Sequence, residues 1–358
     1  MSRTLPTLAD LAAAAGVSPM TASRAVNNQP GVSARTRQAI LKVAADLGYV
    51  TNRVAQKLSS GQSRVIGVLA AHLEQPFVSG LVTSLAQAAA ETDNEVLVYS
   101  HTASEKLPSG NVLRLLQQFT DGVVVLLPYQ FGTVQSIARG RFPVVTIDSP
   151  MEHTDLPSVA ADSYAGARLA MKHLAELGHK RVAFVAGAEK LSSAIERHRA
   201  YDDAVAVHGL DRDPALVVRG DYRIEGGRAA AERLLALPRP PTAIFAANDM
   251  SAFGVMAVLQ ERGLKIPEDM SVVGFDDIPA ASHLHPGLTT VRQPLEQMGA
   301  AAVSALLSQI AGLAPATSKV TLPTELVVRR STAAPGHAAS PASRLTDAPV
   351  RASRAPRR

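Results

Sequence analysis

Apolar residues in the first fifty positions recur at intervals of three and four, between helix start and stop signals. Thr7 with Asp10 three residues on forms a capping box. Leu8, Leu11, Ala12 and Ala15 then share one face until Gly16 ends the turn. Ser18 is the next N-cap, Pro19 suits the first helical position because the N–H it lacks would have no partner there, and Ala22, Ala25 and Val26 form the buried stripe. A third helix starts at Ser33, buries Ile40, Val43, Ala44 and Leu47, and ends at Gly48, where a left-handed backbone costs little. Two helices separated only by Gly16 and Val17 and braced by a third are expected to make a helix-turn-helix unit.

From Arg64 onward the pattern changes to short β-rich runs, most of them followed by longer helical stretches. The runs are Val65 to Ala70, Glu95 to Tyr99, Gly122 to Leu127 and Pro143 to Ile147, then Arg181 to Ala186, Leu216 to Val218, Thr242 to Ala246 and Ser271 to Phe275, with a last strand near Val320 to Val328. Strands alternating with helices predict parallel sheets built from right-handed βαβ units. The expected fold class is α/β, with an N-terminal all-α helix-turn-helix headpiece (residues 1–51) and two doubly wound parallel lobes within residues 64–330. In such sheets ligands bind outside the carboxyl ends of the strands, which puts a site between facing lobes. After Arg330 the chain turns to Ala, Pro, Ser and Arg without apolar period, so residues 331–358 are expected to be a disordered basic tail.

Charge sharpens the division. Residues 1–64 carry a net +6 and residues 331–358 a net +4, leaving −5 for the middle of a chain whose overall charge is +5. A basic headpiece suits a polyanion, because Lys and Arg that neutralise phosphates release counterions. The composition, 46% hydrophobic and 19% charged, is that of a globular protein, and with no Cys there are no disulfides, thiolate metal sites or Cys nucleophiles. The apolar stretch Leu11 to Val17 is a poor match to a secretory signal, and no apolar run reaches 18 residues, so the expectation is a cytoplasmic protein without membrane contact.

Within the second helix, Pro19, Met20 and Arg24 lie on the non-buried face and are the candidate base readers. Arg can fork onto guanine O6 and N7, whereas Pro and Met offer apolar contact such as a thymine methyl. Thr7, Ser18, Thr21, Ser23, Asn27, Ser33 and Asn52 are short hydrogen-bonding residues suited to phosphates, which set register without reading sequence. Residues 52–63 form a short helical stretch and a linker. Ala55 and Leu58 are candidates for insertion into the minor groove, where an apolar wedge kinks the duplex.

Taken together, Thr7-Leu8-Ala9-Asp10-Leu11-Ala12, Ala15-Gly16-Val17-Ser18, Thr21-Ala22-Ser23-Arg24, Gly31-Val32-Ser33, Thr36-Arg37 and Leu47-Gly48-Tyr49 resemble the headpiece of the lactose-repressor (LacI/GalR) family. The resemblance continues in order through Ile66-Gly67-Val68, Pro76-Phe77, Gly178-His179-Lys180-Arg181, Ala247-Asn248-Asp249, Val272 to Asp277 and Pro286 to Val291, covering about residues 5 to 330. It implies a transcription regulator, most simply a repressor, acting as a homodimer on a near-palindromic double-stranded operator, with hinge helices side by side in the minor groove. It also implies an effector domain like a periplasmic sugar-binding protein whose chain passes between lobes three times. Lobe 1 is then expected over about 64–161 plus 290–320, and lobe 2 over about 162–289 plus 321–330.

The positions matching the family's ligand contacts are Phe77, Asp148, Arg197, Asn248 and Asp276, a set suited to a carbohydrate: carboxylates and amide share hydroxyl hydrogen bonds, Arg197 donates, and Phe77 covers a C–H face. Taken singly, Asp276 can equally end a strand in a turn, Asn248 can cap the helix at Asp249, and Phe77 can be core. Glu74-Gln75, Arg199-Ala200 and Pro19-Met20 depart from common family choices, which leaves effector and operator open. No leucine heptad follows residue 330, which favours a dimer. An enzyme is not expected: no P-loop, dinucleotide fingerprint or zinc-protease string is present, His283-Leu284-His285 has no further ligands nearby in sequence, and neither metal nor cofactor is implied. A sugar-binding transport or sensory protein is the rival reading, and the basic headpiece counts against it.

Overall fold

Each of the first three helices begins on a side-chain oxygen supplied by the residue before it. In the computed structural model, which describes residues 6–49, 62–101, 110–127, 142–149, 156–187, 191–313 and 319–336, α1 (Leu8–Ala14) is capped by Thr7 with the reciprocal Asp10 bond, α2 (Pro19–Val26) by Ser18, and α3 (Ala34–Leu47) by Ser33. Gly48 ends α3 in the left-handed region at φ 65°. Internal packing divides the chain into Met1–Arg64 and Val65–Arg358. The core of the first unit is small: Leu11, Ala12, Ala22, Ala25, Ile40 and Ala44. With so little apolar area to bury, caps contributing about 1 kcal/mol each are a sizeable share of its stability. Leu47, expected inside, is 38% exposed. It sits in the last turn of a 14-residue helix, beyond what the 7- and 8-residue partners cover.

The second unit holds two six-stranded sheets. In lobe 1, β1 (Val65–Ala71), β2 (Glu95–His101), β3 (Gly122–Leu126), β4 (Val144–Ile147), β5 (Ser158–Ala161) and β11 (Lys319–Leu322) pair all-parallel in the order β11-β5-β4-β3-β1-β2. Helices α4 (Pro76–Glu91) and α5 (Gly110–Phe119) connect its strands. In lobe 2, β6 (Val182–Ala186), β7 (Val217–Arg219), β8 (Ala243–Ala246), β9 (Ser271–Asp276), β10 (Thr289–Arg292) and β12 (Glu325–Val327) take the order β12-β10-β9-β8-β6-β7, with only β12 antiparallel. Its helices are α6 (Ser163–Glu176), α7 (Ser192–Val207), α8 (Ile224–Leu235), α9 (Asp249–Glu261) and the single turn α10 (Ala280–His283), while α11 (Leu295–Ile310) returns to pack against α4 of lobe 1. Gly227 and Gly254 let α8 and α9 touch backbone to backbone, since a Cβ on Gly254 would collide with the Ile224 carbonyl.

The sheet pairings place the crossings between lobes at residues 162, 293–294 and 323–324. The expected boundaries are corrected accordingly: the strand at 289–292 belongs to lobe 2 and that at 319–322 to lobe 1. The single strand expected near Val320 to Val328 is two strands in different sheets, separated at Pro323, which has no N–H to continue a ladder. The expected disordered tail also starts too early. Ser331 is fully buried, its N–H-bearing neighbour Val272 donates to its carbonyl at 2.8 Å, and its hydroxyl donates to the Val272 carbonyl at 2.6 Å. The Ala333 N–H donates to Ser271 Oγ at 3.1 Å and the Ala333 carbonyl sits 2.9 Å from His179 Nε2. Residues 331–333 are thus a strap across lobe 2, because their polar groups find buried partners there that composition does not reveal.

Candidate functional site

Within the headpiece, α2 presents Pro19, Met20 and Arg24 outward, Met20 being 65% exposed. Ser18 Oγ accepts from the Thr21 N–H at 3.1 Å and lies 2.9 Å from Thr21 Oγ1. Ser33 makes the equivalent pair with Thr36. Thr7, Ser18 and Ser33 therefore serve as caps within the chain, and Asn27 Nδ2 donates to Ser23 Oγ at 3.3 Å. Sequence reasoning gave no role to Arg37. From α3 its Nη1 donates to the carbonyls of Arg24 (3.0 Å) and Ala25 (2.8 Å) and its Nη2 to that of Gln29 (2.6 Å). Two of those carbonyls belong to the last turn of α2 and the third to the turn that follows it, so the guanidinium adds donors beside the backbone N–H groups there and meets the negative end of the helix dipole. Asn52, Ala55 and Leu58 lie outside the described residues.

In the second unit, the five sequence-selected residues converge. Phe77, Asp148, Arg197, Asn248 and Asp276 line one cavity between the lobes, together with Gln75, Leu127, Leu191, Ser193, Tyr222 and Gln293. Nearly all stand at or just beyond the carboxyl ends of strands, or in the helix turns that follow them. The backbone is forced there: Leu127, Asp148, Tyr222 and Asp276 have φ of 48°, 56°, 64° and 120°. Non-glycine residues held in that region cost on the order of 1–3 kcal/mol each and gather where function fixes the geometry.

Asp148 reaches from lobe 1 to the start of α7 in lobe 2. The position before α7 is Leu191, which has no capping oxygen. Asp148 supplies one: Oδ1 accepts from the Ser193 N–H (3.1 Å) and Ser192 Oγ (3.0 Å), and Oδ2 from Ser193 Oγ (2.5 Å). A carboxylate at a helix N-terminus meets the positive end of the dipole, so this contact ties the lobes together. At the cleft mouth Arg223 Nη2 lies 3.2 Å from His72 Nδ1 and 3.9 Å from Glu74, a second link between lobes.

Arg197 is 4% exposed. Its Nη1 donates to the Ala247 carbonyl at 2.7 Å and its Nη2 to Ser163 Oγ at 3.3 Å, while the guanidinium lies 3.6 Å above the Phe275 ring. Its Nε and the Tyr222 hydroxyl are buried without a partner in the protein. Such groups are rare in native structures and point to a ligand that completes them. Burial raises Tyr222 to about 12, keeping it a neutral donor. Burial also lifts the Asp276 carboxyl to about 7, against the pull of Arg197 and of Gln293, whose Nε2 donates to Oδ1 at 2.7 Å. Asn248 does cap α9, accepting from the Ser251 N–H at 3.0 Å, and its Nδ2 donates to the Tyr222 carbonyl at 3.1 Å. The cap and the cavity lining are the same residue.

Of the lining residues that sequence reasoning missed, Gln293 had the clearest signal. It follows a strand, Thr289–Arg292, whose two buried threonines disguise it as polar. Among the described residues no cluster of three or more metal-ligating side chains occurs, and no helix is long and apolar enough to cross a membrane.

Residues 7–52 match the model of bacterial regulatory proteins of the lacI family, and residues 171–332 that of the periplasmic binding protein-like domain. The HTH-type transcriptional repressor CytR of Escherichia coli (strain K12) is 32% identical over 334 residues, 92% of this chain and 97% of that protein. This chain belongs to the LacI family. The HTH-type transcriptional regulator CelR of Thermobifida fusca is 32% identical over 92% of this chain and 99% of its own length. The Lac repressor dimer, solved with operator and the anti-inducer ONPF, superposes with a TM-score of 0.79 at 31% identity, covering 92% of this chain and all of that one. A LacI-family chain with both the helix-turn-helix and the two-lobed domain is a DNA-binding transcription regulator and not an enzyme, and the transport reading falls away.

Proposed function

We propose that the chain is a homodimeric regulator, most simply a repressor, whose affinity for a near-palindromic operator is set by a carbohydrate held between the lobes. Pro19, Met20 and Arg24 read bases. Thr7, Ser18, Thr21, Ser23, Asn27, Ser33 and Asn52 contact the phosphate backbone, and Ala55 and Leu58 enter the minor groove. Phe77, Asp148, Arg197, Asn248 and Asp276 hold the effector. It works in the cytoplasm, at the nucleoid when operator-bound.

The observation that carries this reading is the convergence of those five residues on one cavity whose buried Arg197 Nε and Tyr222 hydroxyl lack partners, in a chain that also bears an outward-facing α2. CelR has been solved as a complex with cellobiose, which supports a carbohydrate as the effector class. Ligand bridging the lobes would change their arrangement and with it the spacing of the two headpieces in a dimer. Selection from a pool of random duplexes with purified protein tests the first half: a site with two related half-sites is expected to be enriched, and recovery of no preferred sequence removes the regulator reading. Leu58→Ala should lose preference for the enriched site over random duplex while leaving the fold intact.

A further inference from the structure

Two local preferences are broken at the mouth of the cleft. His72, the residue after β1, has φ 56°, a left-handed backbone that non-glycine residues adopt only where the surroundings impose it. Arg223 stands at the N-cap of α8, a position that favours short polar side chains and where the positive end of the helix dipole repels a cation; its side chain makes no cap bond. Breaches of this kind gather where function fixes the geometry. Together they bring two side chains across the mouth, His72 from lobe 1 and Arg223 from lobe 2, with Arg223 Nη2 3.2 Å from His72 Nδ1. Glu74 joins them from the turn after β1, its Oε1 3.1 Å from the same Nδ1 and 3.9 Å from Nη2. Glu74-Gln75 is also a place where this chain departs from the common family choice, so the carboxylate is a feature of this chain. Among the described residues, the charged groups bonded to or paired with His72 are Glu74, from its own turn, and Arg223, from the facing lobe. Arg223 has Asp221 beside it, whose Oδ1 accepts the Arg223 backbone N–H at 2.9 Å.

One ring nitrogen thus stands between a guanidinium, which can only donate, and a carboxylate, which when ionised can only accept. It cannot serve both. A neutral imidazole with its proton on Nε2, the form that the adjacent guanidinium favours, accepts from Arg223 and links the lobes. A protonated imidazole donates from Nδ1 to Glu74, a bond inside lobe 1, and its charge repels the guanidinium beside it. We infer that His72, Glu74 and Arg223 form a proton-operated latch on the cleft, closed across the mouth when the imidazole is neutral and released when it takes up a proton. The chemistry fixes the sign. Histidine side chains change charge between about pH 5 and 8, so the latch is engaged at the alkaline end of that range and lost on acidification. Glu74 is held below the ordinary carboxylate range, first by its own backbone N–H and then, against the effect of burial, by His72 and Arg223, so it stays ionised throughout. The latch acts on the empty cleft, so it stands or falls independently of which effector binds there.

Hydrogen exchange read by mass spectrometry on the purified, ligand-free, full-length protein tests the latch, at pH 8 and pH 6 with rates corrected for the intrinsic effect of pH. Peptides spanning residues 70–76 and 220–226 should exchange about 2- to 5-fold faster at pH 6, the shift that a partly exposed contact of this kind supports. The buried strand β3 (Gly122–Leu126) is the internal reference and should give equal corrected rates. In His72→Gln the side-chain amide oxygen accepts from Arg223 at either pH, so the mouth should stay slow and lose its acid response. In Arg223→Gln the donor that reaches lobe 1 is gone, and the mouth should exchange fast at both pH values. Wild-type rates in β3 show that each variant is folded. Equal corrected rates at the wild-type mouth at pH 8 and pH 6 overturn the inference, and so does a His72→Gln protein that keeps the acid response. An Arg223→Gln protein that matches the wild type at both pH values overturns it as well, because His72 and Glu74 are then only a pair within lobe 1.

Discussion

Burial holds the Asp276 carboxyl near 7, far above the ordinary 3.8, so this residue changes charge within the physiological range. The sign of the consequence for binding follows from which form the ligand prefers. Hydroxyl groups donate to a carboxylate better than to its acid, so binding drives Asp276 to ionise, and affinity for a polyol should rise as pH increases through about 7. Calorimetry between pH 6 and 8 checks this in order-of-magnitude steps bracketing the raised value. Asp276→Asn should bind roughly 10- to 100-fold more weakly at the higher pH, the worth of a hydrogen bond to a charged group, and should lose the pH dependence. A wild-type affinity that is flat or falls with pH would contradict the assignment. In the headpiece, Arg37→Gln removes the donors that close α2. Amide exchange in α2 should accelerate by an amount matching about 1.5–3 kcal/mol, and operator affinity should fall without any change in the preferred bases. Loss of preference at one base position instead would make Arg37 a reader rather than a support.

At the level of elements, the strap at 331–333 gives lobe 2 a pH-dependent stability. His179 is packed between Thr242, Ser271 and the Ala333 carbonyl, and burial lowers its pKa below the ordinary 6.5, with His173 pressing the same way. A depressed imidazole favours the neutral form in the folded state. Its contribution is therefore complete above 6.5 and disappears as pH falls from there through the lowered value. The melting temperature should drop on acidification below 6.5, and His179→Asn should melt lower at pH 7.5 with a shallower acid dependence. Equal slopes for the two proteins would remove His179 as the cause. The strap also marks where sequence legibility ended. Caps at Thr7, Ser18 and Ser33 and the stop at Gly48 are local devices, so they could be located without tertiary context. Ser158–Ala161 escaped because four small residues carry no period, and Thr289–Arg292 because its threonines are buried on side-chain hydrogen bonds, Thr290 to Asp249 among them. Arg37 and Ser193 act through partners distant in sequence, which no local pattern can display. The five cleft residues were found only through family resemblance; the wider lining needed the sheets to be folded.

For the molecule as a whole, charge and architecture divide the labour. The net +6 of residues 1–64 suits phosphates, so operator affinity should fall steeply with salt, log K changing with log salt by about −0.9 per phosphate neutralised. The acidic middle of the chain, residues 65–330, carries a cleft whose two halves are joined by Asp148 and by the Arg223 contact at the mouth, and a ligand there acts on the link between lobes. Regulation by such a ligand requires that it bind differently to the operator-competent and incompetent arrangements, and the coupling is then reciprocal. The decisive measurement is operator affinity by fluorescence anisotropy, at fixed salt, with and without a saturating concentration of whichever free sugar raises the melting temperature of the protein. A change of roughly 5- to 150-fold is predicted, in either direction, with an equal change in ligand affinity when operator is present. Identical operator affinities in the two conditions would contradict the account, because the cleft would then bind its ligand without telling the headpiece.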